Sequence, residues 1–164
     1  MKNLIILITM IAAFSANARS LYPEIYTAKI LTERTQKDHQ VFLQGNLEVN
    51  KMRNTIKMTL LHGPHCPPFA FCIEVLYTQE INLPIVNTST DECGAKTYTA
   101  LKDERPVDGI FEYVRVTDYT DYVCPTFNIL PETAINTEKR FYDRINGREV
   151  INRNYYTAEA LELF

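Results

Sequence analysis

What most constrains this chain is a repeated alternation of apolar and polar residues with a period of two. Tyr26, Ala28 and Ile30 fall on one face of an extended segment, with Thr27 and Lys29 on the other. Ile56, Met58 and Leu60 alternate with Thr55, Lys57 and Thr59, and Ile110, Val114 and Val116 with Phe111, Tyr113 and Arg115. Successive side chains of a strand point to opposite faces, whereas an amphipathic helix repeats every 3.6 residues, so the pattern specifies half-buried strands. In QVFLQGNLEV, Val41, Leu43, Leu47 and Val49 are expected on one face. Gly45 lies among them as a bulge or a close approach. FCIEVLYTQ and KTYTAL complete a set of six segments, with 81–93 as a long polar connection. Turn residues bound each segment, and the expected fold is all-β: a small antiparallel barrel or sandwich of about six meandering strands.

The tail admits two readings. A tight hairpin at Asn146 and Gly147 sets Arg144 opposite Glu149 and Tyr142 opposite Ile151. A helix from Thr137, ended by Gly147 as its C-cap, is the rival. The hairpin is preferred, and the closing TAEALELF allows one or two helical turns.

Residues 1–18 have one lysine, an apolar run over 4–14 and the small residues Ala16 and Ala18 at their end. That is the pattern of a secretory signal peptide cleaved before Arg19, and the apolar run is too short to span a bilayer. The expected product is a single domain, 19–164, secreted or periplasmic, with no transmembrane anchor. The formal charge is −3 and falls by one more unit once Lys2 is removed. No basic run interrupts it, which argues against nucleic acid or an anionic membrane as partner.

Four cysteines in an exported chain imply two disulfides. Chain entropy assigns about 2.4 kcal/mol to Cys66–Cys72 and about 3.7 kcal/mol to Cys93–Cys124, and the other pairings differ by only about 1.5 kcal/mol. Geometry must therefore decide. With 102–109 as a hairpin turn, Leu101 faces Ile110, Cys93 lies near Asp118, and Cys124 is just beyond. A strand that starts at Cys72 and neighbours KTYTAL antiparallel begins at the opposite end of the sheet. Bonded cysteines need Cα atoms within about 7 Å, so Cys66–Cys72 and Cys93–Cys124 are expected.

Candidate chemistry is sparse. His62, His65 and Cys66, with Cys72 near, present the imidazole and thiolate groups that zinc or copper prefers. Disulfide formation consumes the thiolates, however, and His39 is far back in the chain. A proline-braced loop closed by a disulfide is the expectation, with His62 and His65 kept as weak metal candidates. Arg105, followed by Pro106 on an exposed turn, suits the primary pocket of a trypsin-like protease. Asp103, Glu104 and Asp108 in that turn are offset by Lys102 and Arg105. Asp118, Tyr119 and Tyr122 offer a carboxylate and aromatic rings for ligand contact. Only Ser20 and Ser89 follow the signal peptide, neither in a G-x-S-x-G elbow; no C-x-x-C occurs, and all five glycines are isolated. No catalytic motif and no cofactor are therefore expected. The reading is an exported, non-catalytic all-β module that is structural or binds a protein or small ligand. The alternatives are a secreted protease inhibitor acting through the 102–109 turn and a metal-binding protein centred on His62 and His65.

Overall fold

Among the described residues, eight strands run as a simple meander, each antiparallel to the next: β1 (Ile25–Glu33), β2 (Gln40–Asn50), β3 (Thr55–Pro64), β4 (Tyr77–Thr90), β5 (Lys96–Glu104), β6 (Ile110–Asp118), β7 (Thr133–Asp143) and β8 (Arg148–Ala158). The computed structural model describes residues 24–33, 40–64, 76–104 and 109–164. β8 returns to β1, with Tyr156 opposite Glu33 and Ala158 opposite Ile30, and this contact closes the sheet into a barrel. A short β9 (Glu162–Leu163) prolongs the β8 edge along β1, placing Leu163 opposite Tyr26. No helix occurs among the described residues.

Barrel and sandwich were both open from sequence; the barrel is what forms, and its wall has eight strands, not six. The two extra strands are the tail hairpin, β7 and β8, which supply the closing edge. They pair Tyr142 with Glu149 and Asp143 with Arg148, not Tyr142 with Ile151. The turn spans four residues because the Asp143 carboxylate accepts from the Ile145 and Asn146 backbone N–H groups and from the Asn146 amide. Gly147 supplies the left-handed φ of +63° that closes it. The expected helical turns at the end are instead the last residues of β8 and the short β9. The supposed connection 81–93 is mostly β4, which carries Ile81, Leu83 and Ile85 inward. β5 also runs three residues further than expected, so Leu101 faces Tyr113, not Ile110.

The inward faces of the strands build one core. Ile30, Leu47, Val49, Ile56, Met58, Leu60, Leu83, Val114, Val116, Ile135 and Tyr156 are all nearly or completely removed from solvent. Each aliphatic side chain buried in this way contributes roughly 1.5–3 kcal/mol of hydrophobic stabilisation. The outer wall carries Lys29, Glu48, Lys57, Arg115, Glu138 and Arg153. That polarity is the inverse of a membrane-spanning barrel, whose outward residues are apolar. No helix among the described residues is long and apolar enough to cross a membrane.

Among the described residues three β-bulges interrupt the alternation, and each leaves its extra residue outside. Leu31, Leu43 and Val86 are the unpaired residues, and they account for three of the large hydrophobics exposed by about half. The expectation that Val41 and Leu43 share the buried face of Leu47 and Val49 is thereby corrected for both. The bulge turns Leu43 out and Phe42 in. Gly45 sits just past that bulge as a close approach, and a Cβ built on it would lie 2.9 Å from Leu60 Cδ2 and 3.1 Å from Ile30 Cβ.

One end of the barrel, called lower here, holds the β2–β3, β4–β5 and β6–β7 connections. Cys93 and Cys124 are bonded there, their Cα atoms 5.2 Å apart, tying the β4–β5 turn to the long β6–β7 loop. The expected pairing is thus present. The other expected disulfide, Cys66–Cys72, falls on residues outside the described ones. The upper end holds the β1–β2, β3–β4, β5–β6 and β7–β8 connections.

Candidate binding site at the barrel mouth

Pairing between β4 and β5 stops halfway up the barrel. It runs from Thr90 opposite Lys96 to Ile85 opposite Ala100, while Tyr77 to Pro84 pair with β3. A backbone reason is at hand. The Ile85 N–H donates to Asn54 O on the β3 side, so the nitrogen of Pro84 faces β5, and proline has no hydrogen to donate there. Above this point a cavity of about 160 Å³ opens between β4, β6, β7 and β8. Its floor is Ile81, Leu83 and Val114, and its polar lining includes Gln79, Glu112, Thr137, Lys139, Asn152 and Asn154.

Register places two of the four charged residues of that lining, Glu112 and Lys139, together. Glu112 and Lys139 are direct cross-strand neighbours, both on the inward face, and Lys139 Nζ lies 2.6 Å from Glu112 Oε1. Neither is sealed off, with side-chain exposures of 25% for Glu112 and 47% for Lys139. Asn152 and Asn154 lie on the inward face of β8, in line with Tyr156 and Ala158.

Asn154 also belongs to a second, deeper group. Its Nδ2 donates to the Tyr156 hydroxyl over 3.0 Å, and that hydroxyl is in turn hydrogen-bonded to the Glu33 carboxylate. Glu33 Oε2 lies 3.6 Å from His62 Nδ1. The His62 ring stands edge-on to Phe42 at 6.0 Å and tilted against Tyr77 at 6.4 Å. The group is assembled by bulges. Skipping Leu31 turns Glu33 inward opposite Tyr156, and skipping Leu43 turns Phe42 inward opposite His62. Burial, then the negative charge of Glu33, hold the Tyr156 hydroxyl far above the ordinary tyrosine range, against the Asn154 hydrogen bond that favours ionisation.

The sequence candidates are scattered by comparison. His62 joins the buried group at the upper end, while His65, Cys66, Cys72 and Arg105 lie outside the described residues. Asp118, Tyr119 and Tyr122 sit together at the lower end. Asp118 is buried, and its Oδ1 accepts from the Thr120 N–H and hydroxyl. Tyr119 meets Tyr122 edge-to-face at 5.7 Å. Tyr119 and Tyr122 border a recess of about 390 Å³ beneath the β6–β7 loop, which opens more widely to solvent than the mouth cavity. That loop also exposes Val123, Phe127 and Ile129. Among the described residues no three His, Cys, Asp or Glu side chains gather closely enough to hold a metal ion.

Sequence reasoning missed Glu33, Glu112, Lys139, Asn152 and Asn154. For Glu112 a signal existed: it shares the parity of Val114 and Val116, so a charge sits on an apolar face. Asn152 and Asn154 share the parity of Tyr156 in the same way. Glu33 gave none, because the bulge at Leu31 reverses its parity. No family model, no curated protein and no solved structure matches this chain.

Proposed function

We propose that this chain is an exported, non-catalytic binding module that holds a small polar ligand in the mouth of its barrel. The observation that carries the reading is the convergence of Glu112, Lys139, Asn152 and Asn154 on one recess with an apolar floor. Ligand sites are concave, largely apolar and furnished with a few placed polar groups, and the mouths of β-barrels are among their preferred locations. An eight-stranded barrel encloses room for packed side chains or one small ligand. Among the described residues the lower half is filled, and in the upper half a recess remains between β4, β6, β7 and β8.

The absence of chemistry in the proposal has its own support. Glu33, His62 and Tyr156 are the groups best suited to move a proton, yet they stand behind Asn154 with side-chain exposures of 3% and 7% for Glu33 and His62 and none for Tyr156. A general acid or base must reach its substrate within hydrogen-bond distance. They serve here to hold Asn154 and the barrel wall. The signal-peptide pattern and the Cys93–Cys124 bond support export to an oxidising compartment. The negative net charge favours a small-molecule or protein partner over nucleic acid.

The test is amide chemical-shift mapping of the ¹⁵N-labelled mature chain against amino acids, polyols, sugars, small carboxylates and small amines. Binding is expected to move Gln79, Val114, Thr137, Asn152 and Asn154, and Asn154→Trp, which fills the recess, is expected to abolish the response. Shifts confined to the lower end or to the 102–109 turn overturn the proposal.

A further inference from the structure

Resting on the mouth cavity as the binding site, we infer that its ligand is a small zwitterion of about amino-acid size, carrying one cation and one anion. Size is set by the cavity. Its volume of about 160 Å³ is about half the lower end of the ~300–1,000 Å³ range of drug-sized pockets.

Charge class is set by the ion pair. Glu112 and Lys139 touch at 2.6 Å on adjacent strands, beside the neutral amides of Asn152 and Asn154. An anion entering this recess draws Lys139 away and lies beside a Glu112 stripped of its partner. A cation does the reverse to Lys139. A ligand that fills the recess takes this partly solvated pair out of water, and a member then left without its counter-charge destabilises the complex. A neutral polyol leaves the pair closed and contacts only amides and hydroxyls. A zwitterion exchanges one ion pair for two, its cation on Glu112 and its anion on Lys139, with no charge left uncompensated.

The other carboxylates lining the cavity do not upset this balance. Glu138 lies on the outer face of β7, where Arg140 and Arg153 bind it. Glu80 lies on the outer face of β4 and is exposed. Among the described residues, the inward-facing lining of the cavity therefore presents one positive and one negative group, with Asn152, Asn154, Gln79 and Thr137 able to donate or accept around them.

The experiment is calorimetry with parallel chemical-shift mapping on the mature, disulfide-bonded chain. The probes are L-alanine, L-glutamine and glycine betaine as zwitterions, succinate as anion, putrescine as cation and glycerol as neutral. At least one zwitterion is expected to bind in the mouth about tenfold or more tightly than the other three probes. Glu112→Gln and Lys139→Met are each expected to weaken it about tenfold, and the double variant to remove the preference. Both positions are partly solvated, and circular dichroism on each variant verifies folding. Succinate, putrescine or glycerol binding the mouth as tightly as the zwitterions overturns the zwitterion but leaves the binding site standing. If no probe shifts mouth resonances at about 10 mM, weaker than any useful small-ligand affinity, both are overturned.

Discussion

Glu33 and His62 face each other across the interior, 3.6 Å from carboxylate oxygen to ring nitrogen, although β2 runs between their strands. Phe42, from that intervening strand, packs its ring against both His62 and Tyr156. A carboxylate and an imidazole this far from water stabilise the fold only while they hold each other and their hydrogen-bonding neighbours.

Removing one member should therefore cost more than removing both. Glu33→Gln is expected to lower the unfolding free energy by about 3 kcal/mol, and the double variant Glu33→Met with His62→Leu by clearly less. Urea unfolding of the three proteins decides it. A double variant at least as damaged as the single one contradicts the pair's interdependence.

Tyr156 makes stability depend on alkaline pH. Its hydroxyl is held above the ordinary tyrosine range by burial and by Glu33. Above about pH 10, where a free tyrosine ionises, the unfolded chain loses this proton while the folded chain keeps it. The folded state then binds more protons, so stability falls as pH rises, whereas below about pH 10 the contribution is fully present. Tyr156→Phe is expected to be less stable than wild type at pH 8, by about 1 kcal/mol for the lost hydrogen bonds. It should also lose less on going to pH 11. Equal losses in both proteins count against this assignment.

The Cys93–Cys124 bond closes a segment of 31 residues. Restricting the unfolded chain over that length corresponds to about 3.7 kcal/mol. Replacing both cysteines with serine is expected to reduce stability by that order, read as a lower urea midpoint with a little-changed slope. A loss under about 1 kcal/mol indicates that the β6–β7 loop is held by its other contacts.

Gly45 offers a test of close packing. A methyl group there meets Leu60 and Ile30 at or inside van der Waals contact, and both are fully buried core residues. Gly45→Ala is expected to destabilise the barrel by about 1–3 kcal/mol through overpacking. A neutral result in thermal unfolding means the two side chains yield without strain.

Much of this architecture was legible in the chain because strand alternation is a local property. Tyr26, Ala28 and Ile30, then Ile56, Met58 and Leu60, then Val114 and Val116 announced their buried face within a few residues. The tail hairpin and the Cys93–Cys124 bond followed from turn chemistry and end-to-end geometry over short spans, whereas the β4 segment that pairs with β5, Ile85 to Thr90, reads in sequence as a polar connection. Closure did not follow, because Glu33 meets Tyr156 across most of the chain length and no local signal encodes that contact. The bulges at Leu31, Leu43 and Val86 were hidden too, since each reverses parity midway through an otherwise regular strand. They are what aim Glu33 and Phe42 inward. By itself, then, the sequence determined an all-β antiparallel meander and most of its buried face. Only the tertiary structure decided that the meander closes and that its pairing parts at Pro84. Only it sets Glu112 beside Lys139 in the mouth, because register and closure arise from pairing between strands, not from the pattern within any one of them.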